Sequence, residues 1–261
     1  MTLKRLALPF CLLLIPFTAY SQQTAIQNPQ AVAFAAQAMA ALTGTTQVSD
    51  ITLTGTATRT LGSDIENGTI TLKALGTLYS RYDLSTEVAT RTEVRSVTSA
   101  GVPQGYWVAP DGSFQYMAGH NCQTGAVWFF PVLSSLSLVA NPLYSISYIG
   151  QESLGGNQVQ HISFALSPAA SASITPALQV LSTTDVYLDS VSLLPVAIAF
   201  STHDDNNAGT NIPVEIDFSN YQQVNGVQIP FHVQKYLNGS LFLDVTIQSA
   251  VLNSGIPSSD F

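Results

Sequence analysis

The chain of 261 residues is acidic and sparsely charged, with 8 lysine and arginine residues, 16 aspartate and glutamate residues and 9% charged residues overall. Neither lysine nor arginine occurs between Arg95 and Lys235. Because a nucleic-acid-binding surface needs a basic stripe that neutralises phosphates, we expect no nucleic-acid partner. The same shortage of positive charge argues against electrostatic docking to an anionic lipid surface.

The first 21 residues have the pattern of a secretory signal peptide. Lys4 and Arg5 form a positive start, residues 6–18 are apolar, and residues 19–21, Ala-Tyr-Ser, offer a small-x-small cleavage site. We therefore expect cleavage after Ser21 and a periplasmic or secreted mature protein. An uncleaved membrane anchor is the alternative, but the apolar stretch is short for crossing a bilayer. No later apolar stretch reaches that length, so we expect no transmembrane segment after removal of the signal peptide.

The mature chain, residues 22–261, keeps 6 basic and 16 acidic residues, which gives a formal charge of −10. It is long enough for one sizeable hydrophobic core, and no linker or strong repeat divides it, so we expect a single domain. It has one cysteine, Cys122, because Cys11 lies in the predicted signal peptide. An intramolecular disulfide is therefore excluded for the mature chain.

The start of the mature chain predicts one helix. Asn28 is a suitable N-cap, Pro29 suits the first helical position and Gly44 suits the exit. The residues between them are rich in alanine, the strongest helix former. A polar face is nearly missing, so we expect the helix to be covered on more than one side. An apolar face with helical spacing is formed by Val32, Ala35, Met39 and Leu42.

Most of the remaining chain alternates between apolar and polar residues with a period of two, which is typical of strands. Threonines at every second position of residues 52–60 predict a strand with one solvated face. The Asn-Gly pairs at 225–226 and 238–239 are typical of type I′ hairpin turns. Between these turns, Lys235 interrupts an otherwise apolar face. About nine to eleven strands are predicted, mostly as antiparallel neighbours.

Two stretches break the alternation. Residues 127–139 are too apolar for a surface loop. Residues 168–182 contain a segment, 177–181, that favours a short helix. The chain is therefore predicted to be mainly β with few helices.

The last quarter of the chain carries a recognisable order of motifs. An acidic-ended strand at 185–189 is followed by Leu-Leu-Pro-Val at 193–196, Phe-Ser-Asn-Tyr at 218–221, the hairpin at 224–230 and Leu-Asn at 252–253. This order resembles the C-terminal half of the periplasmic LolA, LolB and LppX-like group of outer-membrane lipoprotein-sorting proteins. More closely, the whole mature chain resembles uncharacterised exported proteins of the acidobacterial type.

The resemblance implies a curved antiparallel half-barrel whose concave apolar face is closed by the N-terminal helix and one or two lid helices. It also implies an activity class, the holding of acyl chains or another lipid in that cavity. The lipoprotein carriers rely on an arginine in their cavity, and none of the mature arginines maps onto it from sequence. The resemblance therefore does not imply the handling of triacylated lipoproteins specifically. The mature arginines are Arg59, Arg81, Arg91 and Arg95.

The apolar stretch 127–139 is the strongest candidate for a binding site. Its side chains fit a lid or mouth over an apolar pocket, which is the form that ligand sites generally take. Ordinary core packing is an equally suitable interpretation. The candidate cavity or lid residues are Trp128, Phe129, Phe130, Leu133 and Leu136.

His120 and Cys122 form the sharpest candidate for a reactive pair. Residues two apart on an extended chain share a face, and a thiol nucleophile needs a nearby base. A small buried cysteine beside a hydrogen-bonded histidine is the more common arrangement. The His-Asp-Asp sequence at 203–205 is interpreted as a solvated turn, because consecutive residues rarely converge on one ion. We therefore predict no catalytic residues, no metal site and no cofactor.

Three functions fit these patterns. The first is a periplasmic carrier or binding module, rather than an enzyme, for a lipid, a lipoprotein acyl chain or another apolar ligand. The second is a non-catalytic cell-envelope scaffold with a filled core that binds a protein partner. The third and weakest is a thiol hydrolase or redox protein at Cys122.

Overall fold

In the computed structural model, which describes residues 25–261, the strands form one curved antiparallel sheet, a half-barrel that is not closed. The predicted signal peptide, residues 1–21, lies outside the described residues. The strands follow the order β6-β5-β4-β3-β2-β1-β13-β12-β11-β10-β9-β8-β7 across the sheet. They are β1 (Asp50–Leu61), β2 (Asp64–Leu75), β3 (Tyr79–Ser85), β4 (Thr90–Val97), β5 (Pro103–Val108), β6 (Phe114–Tyr116), β7 (Tyr144–Leu154), β8 (Asn157–Leu166), β9 (Thr184–Asp189), β10 (Pro195–Asp204), β11 (Asn207–Val224), β12 (Val227–Leu237) and β13 (Ser240–Leu252).

Helix α1 (Pro29–Thr43) begins and ends where the sequence predicts. The Asn28 side chain accepts hydrogen bonds from the backbone N–H groups of Gln30 and Ala31, at 2.9 and 3.1 Å. Gly44 follows the last turn with a φ of 56°, a conformation that favours glycine. These caps satisfy backbone groups that a helix end otherwise leaves unpaired.

Helix α1 packs against β7, β8 and β12 and also against the 3₁₀ turns Pro131–Leu133 and Ser135–Ala140. The sheet and these turns both cover the helix, and one face, with Ala33, Ala36 and Ala40, stays exposed. A methyl group presents little apolar area, so an alanine face needs no cover. A second helix, α2 (Pro176–Leu181), lies in the stretch that favours a short helix.

The predicted turns at 225–226 and 238–239 join β11 to β12 and β12 to β13. Both asparagines and both glycines have positive φ, between 50° and 86°, as a type I′ turn requires. The turn type matches the right-handed twist of the strands, so these dipeptides set the register of the C-terminal hairpins.

The sheet has thirteen strands, more than the nine to eleven that the sequence predicts. Strand β4 escapes prediction because it carries Arg91, Glu93 and Arg95 at alternate positions. Glu93 and Arg95 are buried, and so is Val94 between them. A strand that is buried on both faces and charged on one has no apolar–polar alternation for a pattern to detect.

The concave face holds the hydrophobic core, which joins inward side chains of the sheet to α1 and to the stretch 127–139. This stretch forms two short 3₁₀ turns, Pro131–Leu133 and Ser135–Ala140, instead of a continuous helix. We call residues 117–143, which connect β6 to β7, the inner segment. No helix within residues 25–261 is long and apolar enough to cross a membrane.

Candidate ligand-binding site

The inner segment places the predicted lid residues deep inside the half-barrel. Phe129, Phe130 and Leu136 have no exposed surface and pack in the core. Trp128 is 2% exposed and Leu133 is 5% exposed. Of these five residues, Trp128 lines a cavity inside the half-barrel, and Leu133 borders a shallow depression beside the end of α1. The stretch thus supplies most of the filling of the concave face and one wall of a remaining space.

An apolar cavity of about 300 Å³ lies between the inner segment, α2 and strands β8 to β10. Its volume is at the lower end of the range of about 300–1,000 Å³ that small-molecule sites occupy. Leu178 of α2 closes one side and is only partly buried. The apolar lining includes Val127, Trp128, Leu138, Tyr144, Phe164, Leu166, Leu178, Ile198 and Phe200.

A second cavity, of about 360 Å³, lies beside the first and is lined by charged as well as aromatic side chains. We call it the basic cavity. Phe200 belongs to the walls of both cavities. The charged residues that line the basic cavity are Arg59, Arg91, Glu93, Arg95 and Lys235. The aromatic residues that line it are Tyr82, Trp107, Phe200 and Phe242.

Two of the arginines in the basic cavity share one acidic partner. Arg91 contacts both carboxylate oxygens of Glu66 at 2.6 Å, in the bidentate geometry that arginine favours. Arg59 contacts the same carboxylate at 3.2 Å. The two guanidinium groups lower the pKa of Glu66, with the Arg91 hydrogen bond as the largest cause. Glu66 therefore stays ionised and leaves one surplus positive charge in this group of three.

Glu93 and Arg95 form a buried pair on β4. The Arg95 Nε lies 3.0 Å from the Glu93 carboxylate, and the Trp107 indole N–H donates to its other oxygen at 3.3 Å. Burial raises the pKa of Glu93, but the charges of Arg95 and Lys235 outweigh it and the pKa is lowered overall. Both carboxylate oxygens are thus occupied within β4 and β5.

Lys235 lies over the Trp128 ring, with its Nζ 4.8 Å from the ring centroid, a distance typical of cation–π contacts. Its ammonium makes no hydrogen bond or salt bridge with any residue between 25 and 261. Burial lowers the pKa of Lys235, and the nearby Glu93 charge partly restores it. Lys235 is therefore the positive group of the basic cavity that has no direct anionic partner within the described chain.

Asn121 fixes the inner segment to the end of β10. Its amide donates to the His203 carbonyl at 2.8 Å and to the Asp205 carboxylate at 2.9 Å. Its oxygen accepts from the His203 backbone N–H at 2.7 Å and from the Thr202 hydroxyl at 2.9 Å. From the other side, Arg95 donates to the carbonyls of Asn121 and Thr124 at 2.7 and 2.9 Å. These bonds hold the chain in place between the two cavities.

His120 and Cys122 lie on a 3₁₀ turn, Gly119–Cys122, and not on a strand. The His120 ring is bonded to the Asp204 carbonyl at 2.9 Å. The Cys122 thiol is buried and donates to the Ala118 carbonyl at 3.6 Å. Burial raises the pKa of this thiol more than Arg95 lowers it. The two side chains therefore have separate partners, and Cys122 is mainly in the thiol form at neutral pH.

The His-Asp-Asp sequence at 203–205 ends β10 and enters the turn before β11. Its groups bond to the inner segment and to Gln115, whose amide donates to Asp205 at 3.2 Å. No group of three or more histidine, cysteine, aspartate or glutamate side chains within residues 25–261 has the geometry of a metal site.

The fold resembles solved structures at low sequence identity. A LolA superfamily protein from Nitrosomonas europaea aligns with a TM-score of 0.54 and 10% identity, over 88% of this chain and 96% of that one. A Vibrio parahaemolyticus domain described as an outer membrane lipoprotein-sorting protein domain aligns with a TM-score of 0.56 and 12% identity, over 88% of this chain and 95% of that one. A DUF1329 family protein from Desulfovibrio piger aligns with a TM-score of 0.58 and 9% identity, over 91% of this chain and 98% of that one.

The chain has the LolA-like fold. No family model matches the sequence, and no curated protein matches it. In this LolA-like half-barrel, three of the four arginines between residues 25 and 261, which sequence alone could not place, line the basic cavity. They are Arg59, Arg91 and Arg95.

The sequence contains a signal for the basic cavity. Lys235 interrupts an apolar strand face, and a cation at an inward position is costly unless it has a partner or a function. Arg91, Glu93 and Arg95 repeat with the same period of two on β4. Charged residues that occur where apolar ones belong in a strand therefore mark the second cavity.

Proposed function

We propose that the protein is an exported, non-catalytic carrier or binding module for an acyl chain or another apolar ligand. The observation that carries the proposal is the apolar cavity inside a LolA-like half-barrel. Apolar ligands gain free energy from leaving water at about 25 cal/mol per Å² of buried apolar surface, and a largely apolar interior provides that environment. We further propose that residues 1–21 are removed as a signal peptide and that residues 22–261 form one domain.

The likeness to solved LolA-like structures supports the fold alone. The proposal of an apolar ligand rests on the cavity of this chain. Its walls are formed by strands and by the inner segment, which Asn121 and Arg95 hold in place through their hydrogen bonds. A rigid, preformed cavity lowers the entropic cost of binding. The wall that is least constrained is α2, a helix of six residues with no buried side chain.

Filling the cavity tests the proposal. Leu178→Trp places a larger side chain in the cavity and leaves the core residues unchanged, so we expect it to abolish binding of an apolar ligand. The measurement is displacement of a fluorescent fatty-acid analogue from the mature protein, together with native mass spectrometry of gently purified material for co-purified lipid. Saturable binding by the unmodified protein and its loss in Leu178→Trp support a carrier.

Val180→Trp is the matched control because Val180 lies on the same helix but is 66% exposed. It should bind like the unmodified protein, and both variants should keep the unmodified thermal unfolding midpoint. Absence of binding by the unmodified protein across several chain lengths would refute the proposal. Equal loss of binding in both variants would assign the effect to α2 itself and not to the cavity.

A second candidate function, a scaffold that binds an envelope protein, is favoured by the packing of the inner segment. Phe129, Phe130 and Leu136 fill the concave face completely where they lie. If the mature protein stays empty in native mass spectrometry and binds one stoichiometric envelope partner, the scaffold is the better assignment.

A further inference from the structure

The positive charge of the described chain is concentrated inside the protein. Residues 25–261 contain six lysine and arginine residues, and four of them line the basic cavity. The remaining two, Lys73 and Arg81, are engaged with Asp260 and Asp83 elsewhere on the sheet. In a chain with 16 acidic residues, this placement makes the interior positive while the rest of the molecule is negative. Such an electrostatic field favours negatively charged ligands inside the cavity.

The anionic groups at the basic cavity do not use up this charge. Glu66 is shared by Arg59 and Arg91, and Glu93 is held by Arg95 and by the Trp107 N–H. Lys235 is left with three N–H donors facing a space of about 360 Å³. An anion that enters this space can accept charge-assisted hydrogen bonds from these donors.

Lys235 lies close to the apolar cavity. Its Nζ lies over Trp128, which lines the apolar cavity, and Phe200 lies in the walls of both spaces. We propose that the basic cavity receives the anionic head group, a carboxylate or a phosphate, of an amphiphile whose chain lies in the apolar cavity. The proposal rests on the proposed carrier function and narrows its ligand to anionic lipids, with Lys235 as the residue that selects the charge.

The test compares ligands that share a chain and differ in head group. Dodecanoate, dodecyl phosphate and dodecanol compete with a fluorescent probe for the mature protein at pH 7. A charge-assisted hydrogen bond inside a protein contributes enough to favour the anions by about tenfold to a hundredfold. Added salt should reduce this preference only weakly, since a buried charge pair is poorly screened.

Lys235→Met removes the charge and keeps a side chain of similar length. It should abolish the preference for the anions while dodecanol still binds, whereas Lys235→Arg should retain most of the preference. Lys73→Met is the matched control, because Lys73 pairs with Asp260 away from both cavities. It should behave like the unmodified protein. Thermal unfolding of each variant checks that it folds.

The possible outcomes separate failure of the anion proposal from failure of the carrier function. Equal affinity for acid and alcohol in the unmodified protein and in Lys235→Met overturns the anion proposal and leaves the carrier function standing. Failure of all three amphiphiles to bind rejects the carrier function itself. Inorganic phosphate and acetate complete the series: if either binds as tightly as its dodecyl counterpart, the site takes a free anion and the lipid assignment is wrong.

Discussion

Asn121 shows how one side chain can fix the position of a long connection. All its hydrogen-bonding capacity toward β10 is used, by four bonds to three residues and their backbone groups. A buried residue of this kind has no counterpart in a sequence pattern, because its partners are some 80 residues away. The site therefore depends on an interaction that only the folded chain reveals.

Asn121→Ala should destabilise the protein by about 2–3 kcal/mol, because it leaves the buried His203 backbone groups without partners. The measurement is the free energy of unfolding in urea. Asn206→Ala, in the exposed turn that follows β10, is the control and should change it by less than about 0.5 kcal/mol. If the two variants have equal stability, the network around Asn121 makes no net contribution.

Cys122 should react slowly with alkylating reagents in the native state. Its thiol is buried and its pKa is raised, so the thiolate that reacts is scarce at pH 8. We expect iodoacetamide to modify the native protein at least tenfold more slowly than the protein unfolded in urea, as followed by intact mass. Rapid modification of the native protein, with loss of ligand binding, would revive the thiol-based alternative.

At the scale of elements, sequence patterns succeeded where a local rule determines the structure. Helix α1 and the turns at 225–226 and 238–239 follow from capping and from positive φ, which involve a few neighbouring residues. Strand β4 escapes such patterns because its charged face is directed at a cavity formed by distant strands. The same non-local cause explains why the sequence indicated the stretch 127–139 but not the walls opposite it.

Strand β11 carries a testable charge pair on its outer face. Asp217 lies two residues from Glu215, and burial together with this neighbour raises the pKa of Asp217 from 3.8 to about 6. The fold therefore favours the protonated carboxyl, and the stability it contributes is fully present below pH 3.8 and is lost as the pH rises through 6.

Asp217→Asn should accordingly raise the free energy of unfolding at pH 8 by about 1 kcal/mol, a value reduced from the full shift because solvent screens this partly exposed group. The gain should vanish near pH 3.5, where the aspartate is protonated in both states. Urea unfolding at the two pH values measures it. Asp111→Asn, at an exposed turn between β5 and β6, should give no gain at either pH. A gain that does not depend on pH would contradict the electrostatic explanation.

At the scale of the whole molecule, the sheet combines local pairing with one long-range junction. Among the thirteen described strands, each pairs with a neighbour in sequence, and β1 pairs in addition with β13. The connection from β6 to β7 is the inner segment, so the apolar cavity is enclosed between two fans of strands joined at β1 and β13. The cavity can form only when this junction is made.

The junction also has a close backbone contact. A bulge separates Thr54 from Gly55, and a Cβ added at Gly55 would lie 2.1 Å from the Thr246 carbonyl oxygen. Gly55→Ala should therefore weaken the pairing of β1 with β13, and the loss of stability should exceed about 1 kcal/mol. Gly76→Ala is a control that loses stability through backbone strain alone, because a Cβ at Gly76 would contact nothing within 4 Å.

The strand order has a consequence for the rate at which the protein folds. Hairpins between sequence neighbours close quickly, whereas pairing β1 with β13 requires closing a loop that contains most of the chain. The two fans should form early and then associate in the rate-limiting step. In stopped-flow refolding, Gly55→Ala and a destabilising change at the hairpin turn 238–239 should both slow folding, because the hairpin forms before the rate-limiting step and the β1–β13 pairing forms during it. A change at the turn that only accelerates unfolding would contradict the early closure of the hairpin. Newly synthesised chains would thus expose the apolar concave faces of both fans until β1 pairs with β13, and during that interval they most need protection from aggregation.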